Sequence, residues 1–286
     1  MIKLRQNPAD DACENCGVEG LQPFEIGPNH QMMYCENCLL YQKGSAPPED
    51  FYQAPAYHAK YRSRRASKIV TAMIRLASTT KYLKQKSPKL LDIGCSIGAT
   101  LAAAERLGWT ASGVDVSRNS VEACRRIGLD CHTISDHQLP FDDNTFDVVS
   151  NWHVIEHVED VHQTLAEWKR VMKPGGVMIL ETPDSQCWKA RRLGARYKRF
   201  WPKEHLYTFT QGNMASILET AGFEILPTRV IGDPKALPLA ITGYAMAYRN
   251  WRKLGRKFKW CKSIEICCRK PVNSSQPVQI PARMAA

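Results

Sequence analysis

Long apolar runs are missing from this chain of 286 residues. The longest, Ala236 to Tyr248, is interrupted by Pro238 and falls well short of the roughly 20 residues that span a bilayer. No charged-then-apolar leader opens the chain, so neither a membrane-spanning nor an exported protein is expected, and a cytoplasmic one is. Acidic residues are scarce in the last third: from Gln186 onward 19 Lys and Arg face 5 Asp and Glu, against 20 and 23 before it. The net charge of +11 therefore lies towards the end, where it suits an anionic partner or a solvated basic face equally. The character of a secreted disulfide scaffold is missing as well. The chain is too large for one, and seven of its 11 cysteines stand in apolar or helical contexts where a thiol packs as a small hydrophobe.

What is present is concentrated between Leu90 and Ser117. Leu90-Leu91-Asp92-Ile93 is short and β-compatible, Gly94 stops it, and Ala99 to Leu107 has helical composition ended by Gly108. Gly94 and Gly98 let the backbone turn sharply and approach a ligand, while the helix that follows offers free N–H groups at its start. Asp115 falls about twenty residues beyond the turn, where the end of a second parallel strand offers a carboxylate to two ribose hydroxyls. Such an arrangement is a nucleoside-cofactor site, and its spacing suits NAD as well as S-adenosylmethionine. The turn, however, lacks the middle glycine of G-x-G-x-x-G: Ser96 stands where the backbone would close on a pyrophosphate. Asp92, just before the turn, is placed to help fix a cationic methionyl end. Both details favour S-adenosylmethionine.

From Leu90 to Gly176 the chain resembles the class I S-adenosylmethionine-dependent methyltransferases. The motifs run in order through Leu139-Pro140-Phe141, Asn144-Thr145-Phe146-Asp147-Val148-Val149, Asn151-Trp152-His153-Val154-Ile155-Glu156-His157-Val158 and Met172-Lys173-Pro174-Gly175-Gly176. The resemblance implies an α/β, Rossmann-like fold: a seven-stranded, mostly parallel sheet with an antiparallel final strand. Its fifth strand is expected at Val177 to Glu181, its sixth at Phe223 to Val230, and the antiparallel one at Ile264 to Lys270.

The resemblance also implies site residues. Asp92, Gly94, Cys95 and Gly98 are expected around the methionyl end, Asp115 at the ribose and Val116 over one adenine face. The family usually carries Asp four residues before the Leu of Leu-Pro-Phe; here Ser135 holds that place and Asp136 follows, so either reaches the adenine amino group. Asn151 is expected to line the transfer site. Methyl transfer needs an acceptor aligned behind the sulfonium, and a base when the acceptor is a hydroxyl. His153, Glu156 and His157 follow the fourth strand, and His205 lies in a long insertion after the fifth. His205 is the first expectation for the base or orienting group, and His157 the second. The expected acceptor is an oxygen or carbon of a small metabolite: a sugar, a lipid or a quinone-like precursor. Two alternatives stay open. An RNA methyltransferase would use the N-terminal zinc ribbon read below and the basic end on phosphates, although Asn151-Trp152-His153-Val154 replaces the Asn-Pro-Pro-Tyr type of base-amino site, which makes nucleic acid the less favoured partner. The other is a non-catalytic S-adenosylmethionine-binding module.

Cys13-Glu14-Asn15-Cys16 and Cys35-Glu36-Asn37-Cys38 are spaced as in four-cysteine zinc ribbons. Four thiolates leave zinc no open position, so a structural site is expected on Cys13, Cys16, Cys35 and Cys38. Residues 1–50 are read as this module and its Pro-rich linker, 51–270 as the catalytic domain, and 271–286 as a tail without fixed structure. An aromatic segment, Phe51 to Tyr61, leads into a helix expected over Tyr57 to Leu83, with Ile69, Met73 and Leu76 on one stripe. This order resembles bacterial zinc-ribbon methyltransferases, in which a Tyr-rich segment helps cover the substrate side. Between residues 236 and 258 Ile241, Tyr244, Tyr248, Trp251 and Leu254 recur at helical spacing opposite Arg249, Arg252, Lys253 and Arg256. That pattern suits either a helix lying at the inner face of an anionic membrane or one packed on the domain.

Overall fold

The computed structural model describes residues 12–27, 30–42, 53, 64–135, 138–197, 205–227 and 263–272. Phe51, Tyr57, Tyr61, Asp136, the 236–258 segment and all but the first two residues of the expected tail lie outside these. A four-stranded sheet joins β1 (Gln22–Gly27), β2 (His30–Tyr34) and β3 (Tyr41–Gln42), all antiparallel, to β9 (Tyr207–Thr208) from far along the chain. Helix α1 (Arg65–Thr79) follows, and its expected stripe of Ile69, Met73 and Leu76 is buried against the main sheet's helical layer. Each such side chain stabilises the fold by roughly 1.5–3 kcal/mol.

The main sheet uses β4 (Lys89–Ile93), β5 (Thr110–Asp115), β6 (Asp130–Thr133), β7 (Phe146–Trp152), β8 (Met172–Pro183), β10 (Glu224–Leu226) and β11 (Ser263–Arg269) in the order β10-β11-β8-β7-β4-β5-β6. Strands β4 to β8 run parallel, and β11 is antiparallel to both neighbours. The seven-stranded, mostly parallel Rossmann-like sheet expected from the sequence is therefore the observed one. Its central strands β4 and β7 are buried almost throughout because helices cover both faces, which is why they read as continuous apolar runs.

The connecting helices start on the residues the sequence offers. Ser117 Oγ accepts from Ser120 N–H at the start of α3 (Arg118–Arg125), and Asp160 Oδ1 accepts from Gln163 N–H at the start of α4 (Val161–Val171). Helix α2 (Ala99–Arg106) precedes α3; the short α5 (Trp188–Leu193) and then α6 (Gln211–Thr220) come after α4. Thr210 and Asn213 close a capping box on α6. Strand β8 begins earlier than expected, at Met172. Its pairing with β7 jumps from Phe146↔Met172 to Val148↔Val177, so the Lys-Pro-Gly-Gly segment bulges out of the ladder before the regular strand resumes at Val177. Order reverses between β4 and β7, and ligands of such sheets sit beyond the carboxyl ends at that switch point. Among the described residues no helix is long and apolar enough to cross a membrane.

Candidate active site

Beyond β4, Gly94 turns the chain with φ +72°, a left-handed conformation that costs glycine nothing. A Cβ there would lie 2.2 Å from Val154 Cγ2, so the residue across the cleft closes directly on the turn. Ser96 N–H donates to Asp115 Oδ2 and Ser117 N–H to Oδ1, each at 2.8 Å. Burial pushes Asp115 up to about 6, against the pull of those two donors. Each of its oxygens keeps lone-pair capacity for a further donor. Beneath the turn Ser150 Oγ donates to Asp92 Oδ1 at 2.6 Å; burial outweighs that bond and pushes Asp92 up to about 7.

A cavity of about 980 Å³ opens over the turn, with Asp92, Gly94, Cys95, Asp115, Val116 and Ser135 on its wall. It is at the upper end of the roughly 300–1,000 Å³ usual for small-molecule sites, room for a cofactor and an acceptor together. Ser96 Oγ and Trp152 Nε1, also on the wall, are buried without a hydrogen-bond partner among the described residues. A polar ligand would satisfy both. A paired-donor carboxylate, a glycine turn and two orphaned polar atoms thus fit a nucleoside with a charged amino-acid end.

Two expected residues stand elsewhere. Gly98 is off the wall: its φ is +71° and a Cβ would lie 2.3 Å from Leu129 Cδ1, so it serves the close packing of α2. Asn151 is fully buried and also off the wall, because neighbours on a strand face opposite sides and Trp152 takes the cavity side.

Another part of the cavity wall is built at the ends of β7 and β8. His153 adopts φ +59°, and its N–H donates to Glu181 O at 2.7 Å. The tight turn Ile155–His157 then buries Glu156 completely, with Oε1 3.0 Å from His153 Nδ1 and Oε2 accepting from Thr182 Oγ1 at 3.0 Å. Burial works to raise Glu156, but the His153 bond and the charges of His153, His157 and His205 prevail and hold it at about 2. The rings of His157 and His205 meet edge to face, 4.8 Å between centroids. Glu156 and all three histidines line the cavity. From α1, Arg75 Nη2 reaches Glu181 Oε2 at 2.5 Å and its guanidinium lies 4.5 Å over the Trp152 ring, fixing the floor below His153.

At the other end of the small sheet, Cys13, Cys16, Cys35 and Cys38 bring their sulfurs within 4.8 Å of one another. Cys13 and Cys38 Sγ are 3.4 Å apart, and Cys16 and Cys35 Sγ 3.6 Å.

The family described as "Methyltransferase domain" matches residues 58–228. The chain belongs to this family. The ubiquinone biosynthesis O-methyltransferase of Bartonella tribocorum is 28% identical over 160 residues, 49% of this chain and 64% of that protein. The enzyme of the same description from Maricaulis maris is 30% identical over 142 residues, 46% of this chain and 56% of its own length. The chain thus spans about half to just under two-thirds of the curated relatives it matches. Among solved structures, the complex between the Haloferax volcanii Trm112 methyltransferase activator and its methyltransferase contains a chain that superposes with a TM-score of 0.56 at 18% identity, covering 79% of this chain and 99% of that one. A SAM-dependent methyltransferase from Archaeoglobus fulgidus gives 0.51 at 20% identity, with 75% and 98% covered. With the sheet order, these place the chain among the class I S-adenosylmethionine-dependent methyltransferases. The family match starts after the cysteine pairs.

Within this methyltransferase, sequence reasoning placed His153 beside Glu156 and His157 after the fourth strand but ranked His205 and His157 ahead of it. The structure adds that His153 Nδ1 lies 3.0 Å from Oε1 of the fully buried Glu156. A histidine three residues before a glutamate, directly after a buried strand, was the available signal. Its weight depended on the burial of Glu156, which the spacing alone does not reveal.

Proposed function

We propose that this methyltransferase methylates a hydroxyl oxygen of a small, planar, quinone-like precursor. S-adenosylmethionine supplies the electrophilic methyl group. The observation that carries the reading is the His153–Glu156 pair on the same cavity wall as the cofactor turn. His153 Nε2, which lies 3.9 Å from Glu181 Oε2, would take the acceptor hydroxyl's proton, and that oxygen would receive the methyl group from the bound cofactor. Glu156 holds the imidazole by Nδ1 and stabilises the charge it gains. His205 and His157 orient the acceptor, and Asp92, Cys95, Asp115, Val116 and Ser135 hold the cofactor. Ile134, Leu139, Val154, Val158 and Trp168 give the cavity an apolar lining that favours an aromatic acceptor over a sugar. The chain's relatives among the ubiquinone biosynthesis O-methyltransferases support the same class.

The proposal extends to residues 1–50 as a four-cysteine module whose small sheet is completed by β9 of a catalytic domain at 51–270, with zinc on Cys13, Cys16, Cys35 and Cys38, in a reducing cytoplasmic setting. Zinc–sulfur bonds of about 2.3 Å in a tetrahedron put sulfurs about 3.8 Å apart, close to the spacing found. All the described cysteines are free thiols. The test is incubation with methyl-labelled S-adenosylmethionine and 3,4-dihydroxybenzoate, a simple catechol, followed by mass spectrometry. A singly O-methylated catechol supports the reading; label entering RNA or a sugar in its place overturns it.

A further inference from the structure

The small sheet is shared between the cysteine module and the loop that presents His205. β9 begins two residues after His205 and pairs with β3, Tyr41 opposite Thr208 and Gln42 opposite Tyr207. Both cysteine turns grip this segment. Glu14, between Cys13 and Cys16, accepts a short hydrogen bond from the Tyr207 hydroxyl, which also lies 2.9 Å from Glu159 O. The main chain of Glu14 is fixed on both sides: its N–H donates to Gln42 Oε1 at 3.2 Å and its carbonyl lies 2.9 Å from His162 Nε2. From the second turn, Cys38 O accepts from Asn213 Nδ2 at 3.2 Å, and Asn213 is also half of the α6 capping box. Cys13, Cys35 and Leu40 share one apolar cluster with Leu206, Tyr207 and Phe209. On the cavity side, Leu206 N–H donates to Glu156 O at 2.8 Å. A continuous run of contacts therefore joins the four sulfurs to the histidine cluster, and it does not pass through the glycine turn or Asp115.

A module this small has little core of its own, so the ion would contribute much of the free energy that keeps its turns in place. We propose that Tyr207 and Glu14 are positioning residues that couple the four-cysteine metal site to His205, so that metal occupancy sets acceptor turnover and leaves cofactor affinity unchanged. This rests on the methyltransferase and zinc readings above. Tyr207 is buried and stacked on Phe209, 5.8 Å between centroids. Tyr207→Phe therefore keeps the ring packing and removes the hydroxyl's contacts to Glu14 and Glu159 O, whereas Glu14→Gln leaves the Glu159 contact in place.

The experiment uses the full zinc-loaded chain as wild type, Tyr207→Phe, Glu14→Gln and Cys35→Ser. Four quantities are measured: zinc content, S-adenosylmethionine affinity by calorimetry, kcat and KM with 3,4-dihydroxybenzoate, and the ring resonances of His205 in histidine-labelled protein, assigned with His205→Gln. Wild type is expected to hold one zinc, and Cys35→Ser much less. Tyr207→Phe and Glu14→Gln should keep their zinc and bind cofactor within about 2-fold of wild type, while kcat/KM falls about 10-fold or more, the scale of a lost hydrogen bond to a charged group. Their His205 resonances should shift in the direction seen in Cys35→Ser. Unmoved His205 resonances in both variants overturn the proposal, whether or not the catechol is methylated. So does cofactor affinity that falls in step with turnover, the mark of general loosening. A wild type that binds no S-adenosylmethionine sinks the methyltransferase reading instead, so the two failures are distinguishable.

Discussion

Replacing Glu156 by Gln keeps the shape of the side chain and removes the charge that three imidazoles face. Glu156 is fully buried and bonded to His153 and Thr182. In the fold it titrates at about 2, against 4.5 for an ordinary glutamate, and that gap corresponds to about 3 kcal/mol. Because the unfolded chain binds the proton more readily, the stabilisation is complete above pH 4.5 and is lost as pH falls from there through about 2. Urea unfolding of wild type and Glu156→Gln, run from about pH 5 down to about pH 3, should show the wild type's lead over the variant shrinking once pH drops below 4.5. Turnover of the variant should fall by roughly 10²–10⁴, with cofactor affinity nearly intact, since the imidazole loses its orienting partner. A stability gap that stays constant over the whole pH range would refute the electrostatic reasoning. Wild-type turnover in the variant would refute the assignment of His153.

Asp115 sits at about 6 in the fold through burial, and ribose hydroxyls donate best to its ionised form. Calorimetry should therefore show S-adenosylmethionine affinity falling as pH drops through about 6, and Asp115→Ala should lose about 10-fold or more together with that pH dependence. Gly94→Ala meets Val154 Cγ2 at 2.2 Å and also forces a side chain into φ +72°, the latter costing about 1–2 kcal/mol. Val154→Ala in the same chain should restore part of the lost cofactor affinity; strictly additive losses would mean that the two residues do not meet.

The strand, turn and helix of the expected cofactor turn were legible in the sequence because their determinants are local. Strand, turn and helix from Leu90 to Leu107 are neighbours in the chain, and the observed β4 and α2 match the expected spans within a residue. Even there, the role of Gly98 escaped, since the atom that forbids a Cβ belongs to Leu129 on another segment. Asn151 illustrates a different loss. Position at the end of a strand was read correctly, but which face a residue takes is fixed by register, and Trp152 won the cavity side. The pairing of β3 with β9 left no local signal at all: each strand is two residues long, and about 165 residues separate them. Short strands of that kind exist only because a partner is already in place.

That difference in origin has a chemical consequence. The residues proposed to hold the cofactor stand on the ends of β4 and β5, strands paired on both sides, so their geometry is held by the whole sheet. His205 stands instead on a segment whose supports are contributed separately: Leu206 bonds the main chain of Glu156, Tyr207 pairs with the module, and Asn213 bonds Cys38. Glu156 is where the two halves meet. Its carboxylate receives Thr182 of β8 and holds His153 beyond β7, while its carbonyl receives the loop. A change in the loop or module therefore reaches the acceptor through Glu156 and the histidines, without passing through Asp115 or the glycine turn. On the proposed assignment, substrate preference would shift while cofactor affinity stays fixed, because the two would be carried by separate sets of contacts joined at one buried carboxylate.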